Sequence, residues 1–263
     1  MAHIIAIAHH AGGTGKTHVA LNLGYCLAEA GQRVLLVDLD PQGDLSRRLG
    51  RVPAGPRLQD ALLAPTVIPE AQRISTWEHA ALDVLPADLD MAGVELRLVA
   101  EQAREQRLAR VLHTLASAYD YVLLDCPPSL SVLTQNAFYA ADSVLVPVQT
   151  HDKAYNALPT LLASIREVNH YRARPLEVLG IVFTMFDRTR MAQEIVAQAR
   201  GSASEAPLVF ETVIPLRVDA RYEERHQAPV AEYDRSNAAT VAYQALAQEV
   251  MARAEASALV AGR

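Results

Sequence analysis

A doubly wound, mostly parallel α/β sheet flanked by helices is the fold class this 263-residue chain predicts. Its strongest apolar runs are short and unbroken rather than alternating, as in parallel strands covered on both faces. Between these runs lie stretches of helical periodicity, and strands that alternate with helices build a layered α/β fold.

The strand runs are His3–Ala8 (HIIAIA), Arg33–Asp38 (RVLLVD), Leu82–Pro86 (LDVLP), Tyr121–Asp125 (YVLLD), Ser143–Val148 (SVLVPV) and Leu176–Met185 (LEVLGIVFTM). The first helix, Lys16–Ala30, carries Val19, Leu23, Cys26, Leu27 and Ala30 on one face and stops at Gly31. Further helices fit Val94–Ser117, Ser131–Ala140, Ala154–His170, Met191–Gly201 and Asn237–Ala256. There is no repeat, low-complexity segment or Gly/Ser linker. One domain over residues 1–263 is therefore expected, with a loosely patterned insertion at about Arg51–Ala80.

Composition narrows the class. Hydrophobic residues make up 51% and charged residues 21%, as in ordinary globular proteins. Two cysteines, Cys26 and Cys126, are too few for a disulfide framework and suit a reducing compartment. No apolar run has the length of a membrane span, and MAHIIAIAHH lacks the basic n-region of a signal peptide. A cytoplasmic protein is expected. The net charge of −6 gives no bulk affinity for nucleic acid, so any DNA contact must come from a local basic patch. The basic residues are 22 arginines and two lysines, Lys16 and Lys153. A lysine is a compact point charge that fits a phosphate cradle where a guanidinium fork does not substitute.

Lys16 stands in such a cradle. The segment HHAGGTGKTH follows a strand and opens an amphipathic helix. Gly12, Gly13, Thr14 and Gly15 let backbone N–H groups approach phosphates, and the helix N-terminus adds partial positive charge. Lys16 is placed to reach the β- and γ-phosphates of ATP, and the Thr17 hydroxyl to ligate Mg²⁺. A strict G-x-x-x-x-G-K-[ST] pattern fails, because His10 occupies its first glycine position. Asp125, Asp38 and Asp40 end strands at the rim where ligands sit in such sheets; Asp125 fits a Walker B carboxylate beside Mg²⁺. Adjacent His9 and His10 point to opposite faces of a strand, which argues against a metal pair.

These motifs together resemble the ParA/Soj partition ATPases, within the ParA/MinD group whose Walker A loop is deviant. The resemblance runs from AGGTGKT through VLLVDLDPQGDLS, YDYVLLDCPPSL, DSVLVPVQT and GIVFTMFDRTR to the C-terminal segment Val213–Val250. It implies an ATP-hydrolysing protein that uses ATP/ADP and Mg²⁺. By that resemblance Asp40 would orient or activate the attacking water and join Thr17 and Asp125 around the metal. Asp38 supports the site, and Pro127-Pro128-Ser129 senses the γ-phosphate. The adenine seats near Met185–Phe186 and Pro215–Asp219, including Val218. The resemblance further implies a homodimer on ATP binding that holds DNA without sequence preference on the nucleoid. A ParB-like or adaptor partner stimulates hydrolysis. No helix-turn-helix precedes the first strand, as in short members that leave specific DNA recognition to that partner.

Two departures from the family stand out. Its loop reads KGGxGKT, with a first lysine that crosses to the other subunit's phosphates; here that position is Ala11. Either the trans-acting charge is lost and the ATPase slow, or Lys153, just beyond the strand Ser143–Val148, replaces it. McdA-type ATPases, which position protein cargo, also lack the loop lysine and carry a later one. The second departure is His18 in place of Thr or Ser: either a helix-surface histidine, or one that reaches the α-phosphate through a ring nitrogen.

For DNA, the candidates are Arg188, Arg190, Arg217, Arg221 and Arg225, with Arg235 nearby, contacting phosphates rather than bases. A MinD-like membrane cycle needs a C-terminal amphipathic helix, and MARAEASALVAGR is too weakly apolar, so no membrane partner is expected. An iron–sulfur carrier needs cluster-bridging cysteines, which Cys26 and Cys126 do not suit.

Overall fold

The computed structural model describes residues 2–51, 55–64, 66–73, 81–216, 223 and 225–261. Its strands are β1 (His3–Ile7), β2 (Arg33–Asp38), β3 (Gln72–Arg73), β4 (Ala81–Leu85), β5 (Tyr121–Asp125), β6 (Ser143–Gln149), β7 (Glu177–Phe186) and β8 (Val209–Pro215). They form one sheet in the order β3-β4-β2-β5-β1-β6-β7-β8. Seven strands run parallel, and only the two-residue β3 is antiparallel. β1 lies between β5 and β6. The carboxyl ends of these central strands therefore make the crevice in which such sheets bind ligands.

The unbroken apolar runs are explained by helices on both faces. Ile5, Ile7, Leu36, Leu123 and Leu145 pack under α1 (Lys16–Glu29) and the C-terminal helix. The alternate residues Ala6, Leu35, Val122, Leu124 and Val146 form the core of the other face. The helices not yet named are α2 (Asp44–Arg48), α3 (Leu58–Leu63), α4 (Asp90–Leu98), α5 (Arg107–Leu115), α6 (Val132–Ala140), α7 (Asp152–Asn169), α8 (Arg190–Gly201), α9 (Val230–Tyr233) and α10 (Ala238–Ala261).

Two differences from the sequence reading have clear causes. The helix expected over Val94–Ser117 is two helices, α4 and α5, with Ala103 in the left-handed region at φ 48 between them. Asn136 of α6 holds the second start: its Nδ2 donates to the Arg104 carbonyl at 2.8 Å and its Oδ1 accepts from the Leu108 N–H at 3.0 Å. Strand β8 was not expected, because as an edge strand it keeps the polar Glu211 and Thr212 (VFETVIP). Two of its N–H groups are taken up by α10. Glu249 of α10 accepts from Glu211 N–H and Thr212 N–H, both at 2.9 Å, and so covers the edge.

Candidate functional site

The loop between β1 and α1 turns on two glycines, Gly13 (φ 76) and Gly15 (φ 84), in a backbone region costly for any residue with a Cβ. Gly12 and Gly13 face open space, where an added Cβ meets nothing within 4 Å. Thr14 is buried, and its carbonyl accepts a 2.8 Å hydrogen bond from the Thr184 hydroxyl of β7. On the other side of the loop the buried His9 accepts from the Ala11 N–H through Nδ1 at 3.0 Å. That bond leaves the ring proton on Nε2. Burial first, and then Lys16 and His10, lower the His9 pKa to about 4, so the ring is neutral.

Lys16 is 7% exposed and donates to the Ala11 carbonyl at 3.4 Å. Burial lowers its pKa, against the opposing pull of Asp125, Cys126 and Asp40. Asp125, at the end of β5, is buried, and among the described residues its carboxylate oxygens have no partner in good hydrogen-bond geometry, the Thr17 hydroxyl lying nearby. Desolvation and then the charge of Asp38 drive its pKa well up, while the Thr17 hydroxyl and Lys16 work the other way. A buried carboxylate with so few donors is costly. Beside a threonine hydroxyl it is the oxygen-rich environment a hard divalent cation takes, so these residues fit Mg²⁺.

Asp38 does not share that openness. Its Oδ2 accepts from the Ser46 N–H at 3.0 Å and the Ser46 hydroxyl at 2.6 Å, and its Oδ1 from the Asp40 N–H at 3.1 Å. Ser46 in turn accepts from Ala87 N–H at 2.9 Å, tying β2, α2 and the end of β4 together. Asp38 thus shapes the segment that presents Asp40, which is half-buried and accepts from the Gln42 N–H at 2.9 Å.

Lys153 is exposed on the first turn of α7. The backbone of the next residue, Ala154, lies close enough to His9 to offset part of its pKa shift, which puts this turn against the Ala11 side of the loop. His18 is not the solvated helix-surface residue that one reading expected. Its side chain is 15% exposed, with Nδ1 2.7 Å from Oε2 of the buried Glu223.

At the rim, Met185 (φ 54) and Phe186 end β7, and Phe186 pairs with Pro215 of β8. The Phe186 carbonyl accepts from the Leu216 N–H at 3.1 Å. Phe186, Arg188, Pro215, Leu216 and Val241 line a cavity of about 570 Å³. Arg188 and Arg190 stand exposed at the start of α8, with Arg190 paired to Glu194 at 2.8 Å. Arg225 is exposed, and Arg235 pairs with Glu29 at 3.2 Å. Arg217, Val218, Asp219 and Arg221 lie outside the described residues. Sequence reasoning missed Thr184 and Glu223 as parts of the site. The first is buried inside an apolar strand run and the second sits among surface-like charges, so neither carried a signal.

A strand, a glycine-turned loop and a helix opened by Lys-Thr, beside a buried carboxylate on the next strand, define a P-loop NTPase of the ParA/MinD type. Residues 2–178 match the model of a family described as an AAA domain. Sporulation initiation inhibitor protein Soj of Bacillus subtilis is 39% identical over 255 residues, which cover 96% of this chain and 99% of Soj. Chromosome partitioning protein ParA of Caulobacter vibrioides is 41% identical over 254 residues, 95% of this chain and 94% of that protein. The solved structure of cobyrinic acid a,c-diamide synthase from Mycobacterium smegmatis, with a bound ATP analogue and magnesium, is 32% identical. Its TM-score is 0.77, with 94% of this chain and 93% of that one covered. The chain belongs to the ParA/Soj family of partition ATPases.

Proposed function

We propose that this chain works as a single P-loop domain that binds ATP with Mg²⁺, hydrolyses it and partitions DNA. The observation that carries the reading is Asp125, buried at the end of β5 with the Thr17 hydroxyl and Lys16 beside its carboxylate. Bound Mg²⁺ supplies charge neutralisation across the phosphates. Thr17 and Asp125 hold it, with Asp40 at its edge. Lys16 lies on the β- and γ-phosphates, and the loop N–H groups of Gly12–Gly15 cradle them. Asp40 accepts a hydrogen bond from the attacking water and orients it. The cavity beside Phe186 and Pro215 has the dimensions and mostly apolar walls that suit a purine base.

ATP joins two subunits face to face, and Lys153 supplies the cation that Ala11 does not. Arg188, Arg190, Arg217, Arg221 and Arg225 hold DNA phosphates. The protein acts in the cytoplasm on the nucleoid, and a ParB-like partner stimulates turnover. The names of the relatives favour DNA partition over positioning of a protein cargo or a membrane cycle. Among the described residues no helix is long and apolar enough to cross a membrane. The decisive experiment is ATP hydrolysis and DNA retention by the purified chain with and without Mg²⁺, against Lys16→Ala. Hydrolysis that survives Lys16→Ala would overturn the site assignment.

A further inference from the structure

Helix α4 (Asp90–Leu98) carries two apolar faces. Met91, Val94 and Leu98 are buried in the core beneath it. On the opposite side Leu89, Leu96 and Val99 stand 72%, 78% and 54% exposed, and Ala92 and Gly93 between them are exposed as well. Spacings of three, four and seven residues place these five on one stripe. A single exposed apolar side chain is ordinary, but a contiguous stripe of them marks an interaction surface.

Gly93 sits inside this helix, where glycine is less stable than alanine. A Cβ added there meets nothing within 4 Å, so packing inside the subunit does not require its absence. A second helix crossing closely over the stripe does, because the side chains at the contact set the distance between helix axes. The charges beside the stripe say which helix that is. Asp90 and Arg97 lie seven residues apart, hence on one flank, with their midpoint at Gly93–Val94. An antiparallel copy of α4, related by a twofold axis at that midpoint, sets Asp90 beside Arg97 of the second copy and Arg97 beside its Asp90. The same operation drops Leu96 between Leu89 and Gly93 of the other copy. The Asp90 side chain is 70% exposed even though it accepts from Arg57 Nη1 at 2.9 Å, which leaves room for a second cation.

We propose that the stripe Leu89–Val99 is an interface on which a second copy of this chain docks antiparallel, the same patch facing itself across a twofold axis. One helix pair covers less than the roughly 800 Å² per partner of a standard interface, so the association is weak. The face is already formed without nucleotide. The contact is therefore additional to the pairing that ATP brings about, and it stands or falls separately from the ATP reading.

Sedimentation equilibrium of the nucleotide-free chain at low salt tests it. The wild type is expected to show a monomer–dimer equilibrium with a Kd on the order of 100 μM. Leu96→Glu, at an exposed position, is expected to weaken it about tenfold or more. Gly93→Ala is expected to weaken it about threefold or more while thermal stability holds or rises, the opposite of a folding defect. Asp90→Arg and Arg97→Asp should each weaken association alone. Mixed together they should restore it to within about twofold of wild type, because each 90–97 contact in the mixed pair again joins opposite charges. A chain that stays monomeric at every concentration, or a dimer untouched by Leu96→Glu, overturns the proposal. A mixture that does not recover gives the face to a different partner and overturns it as well. If Asp90→Arg does not fold, Leu96→Glu and Gly93→Ala decide alone.

Discussion

Asp38 and Asp125 are direct partners in the parallel pairing of β2 and β5, so two buried carboxylates end adjacent strands side by side. The Leu39 N–H donates to the Asp125 carbonyl at 3.0 Å, which fixes this register at the strand ends. Two like charges out of water raise one another's proton affinity. Asp38 is relieved by the Ser46 and Asp40 donors, whereas Asp125 has the Thr17 hydroxyl and Lys16 beside it.

The first expectation concerns pH. Burial, more than any other cause, moves the Asp38 pKa from 3.8 up to about 7. A carboxyl that holds its proton more tightly when folded stabilises fully below the unfolded value, and that contribution is lost as pH rises through the folded one. The nucleotide-free protein should therefore lose thermal stability as pH climbs from about 4 to about 7, with Asp125 acting in the same direction. Asp38→Asn should flatten this slope in thermal unfolding, and an unchanged slope would assign it to other groups.

His9 should behave oppositely. Its pKa is depressed to about 4, so its contribution is present above the ordinary value of 6.5 and lost as pH falls through about 4. Imidazole NMR should show a neutral ring protonated on Nε2 at every pH above about 5.5. His9→Ala frees the Ala11 N–H and should weaken ATP-analogue binding several-fold; equal affinity would show that the loop holds its shape without this bond.

Thr184 holds the loop from the β7 side. Thr184→Val keeps the shape but removes the donor to the buried Thr14 carbonyl. The expected cost is about 1–3 kcal/mol in denaturant unfolding, with weaker nucleotide binding beside it.

Lys153→Ala should abolish ATP-dependent dimerisation in sedimentation experiments while each subunit still binds nucleotide. Arginine at this position should restore little, because the site takes a compact cation. Dimerisation and turnover at wild-type levels would rule the lysine out.

Arg188→Glu with Arg190→Glu should lower DNA retention by roughly tenfold or more at low salt, and the salt slope should fall by about one for each DNA phosphate that is no longer neutralised. The Arg190–Glu194 pair is exposed and contributes little to stability, so thermal unfolding should hardly move. Retention of DNA would place the binding surface elsewhere.

The sequence by itself determined the layered fold, the loop Gly12–Thr17 and the rim carboxylates Asp38, Asp40 and Asp125. Each is a local pattern: an unbroken apolar run, a glycine turn opening a helix, an acidic residue at a strand end. The tertiary structure decided what local pattern does not encode. It split the expected helix at Ala103 through Asn136, added β8 as an edge covered by Glu249, and tied Asp38 to Ser46. It also brought Thr184 to Thr14 and Glu223 to His18, pairs that lie most of the chain apart. Such contacts are chosen by which buried polar groups need a partner once the sheet has formed. That need exists only in the folded molecule, where water no longer supplies the alternative.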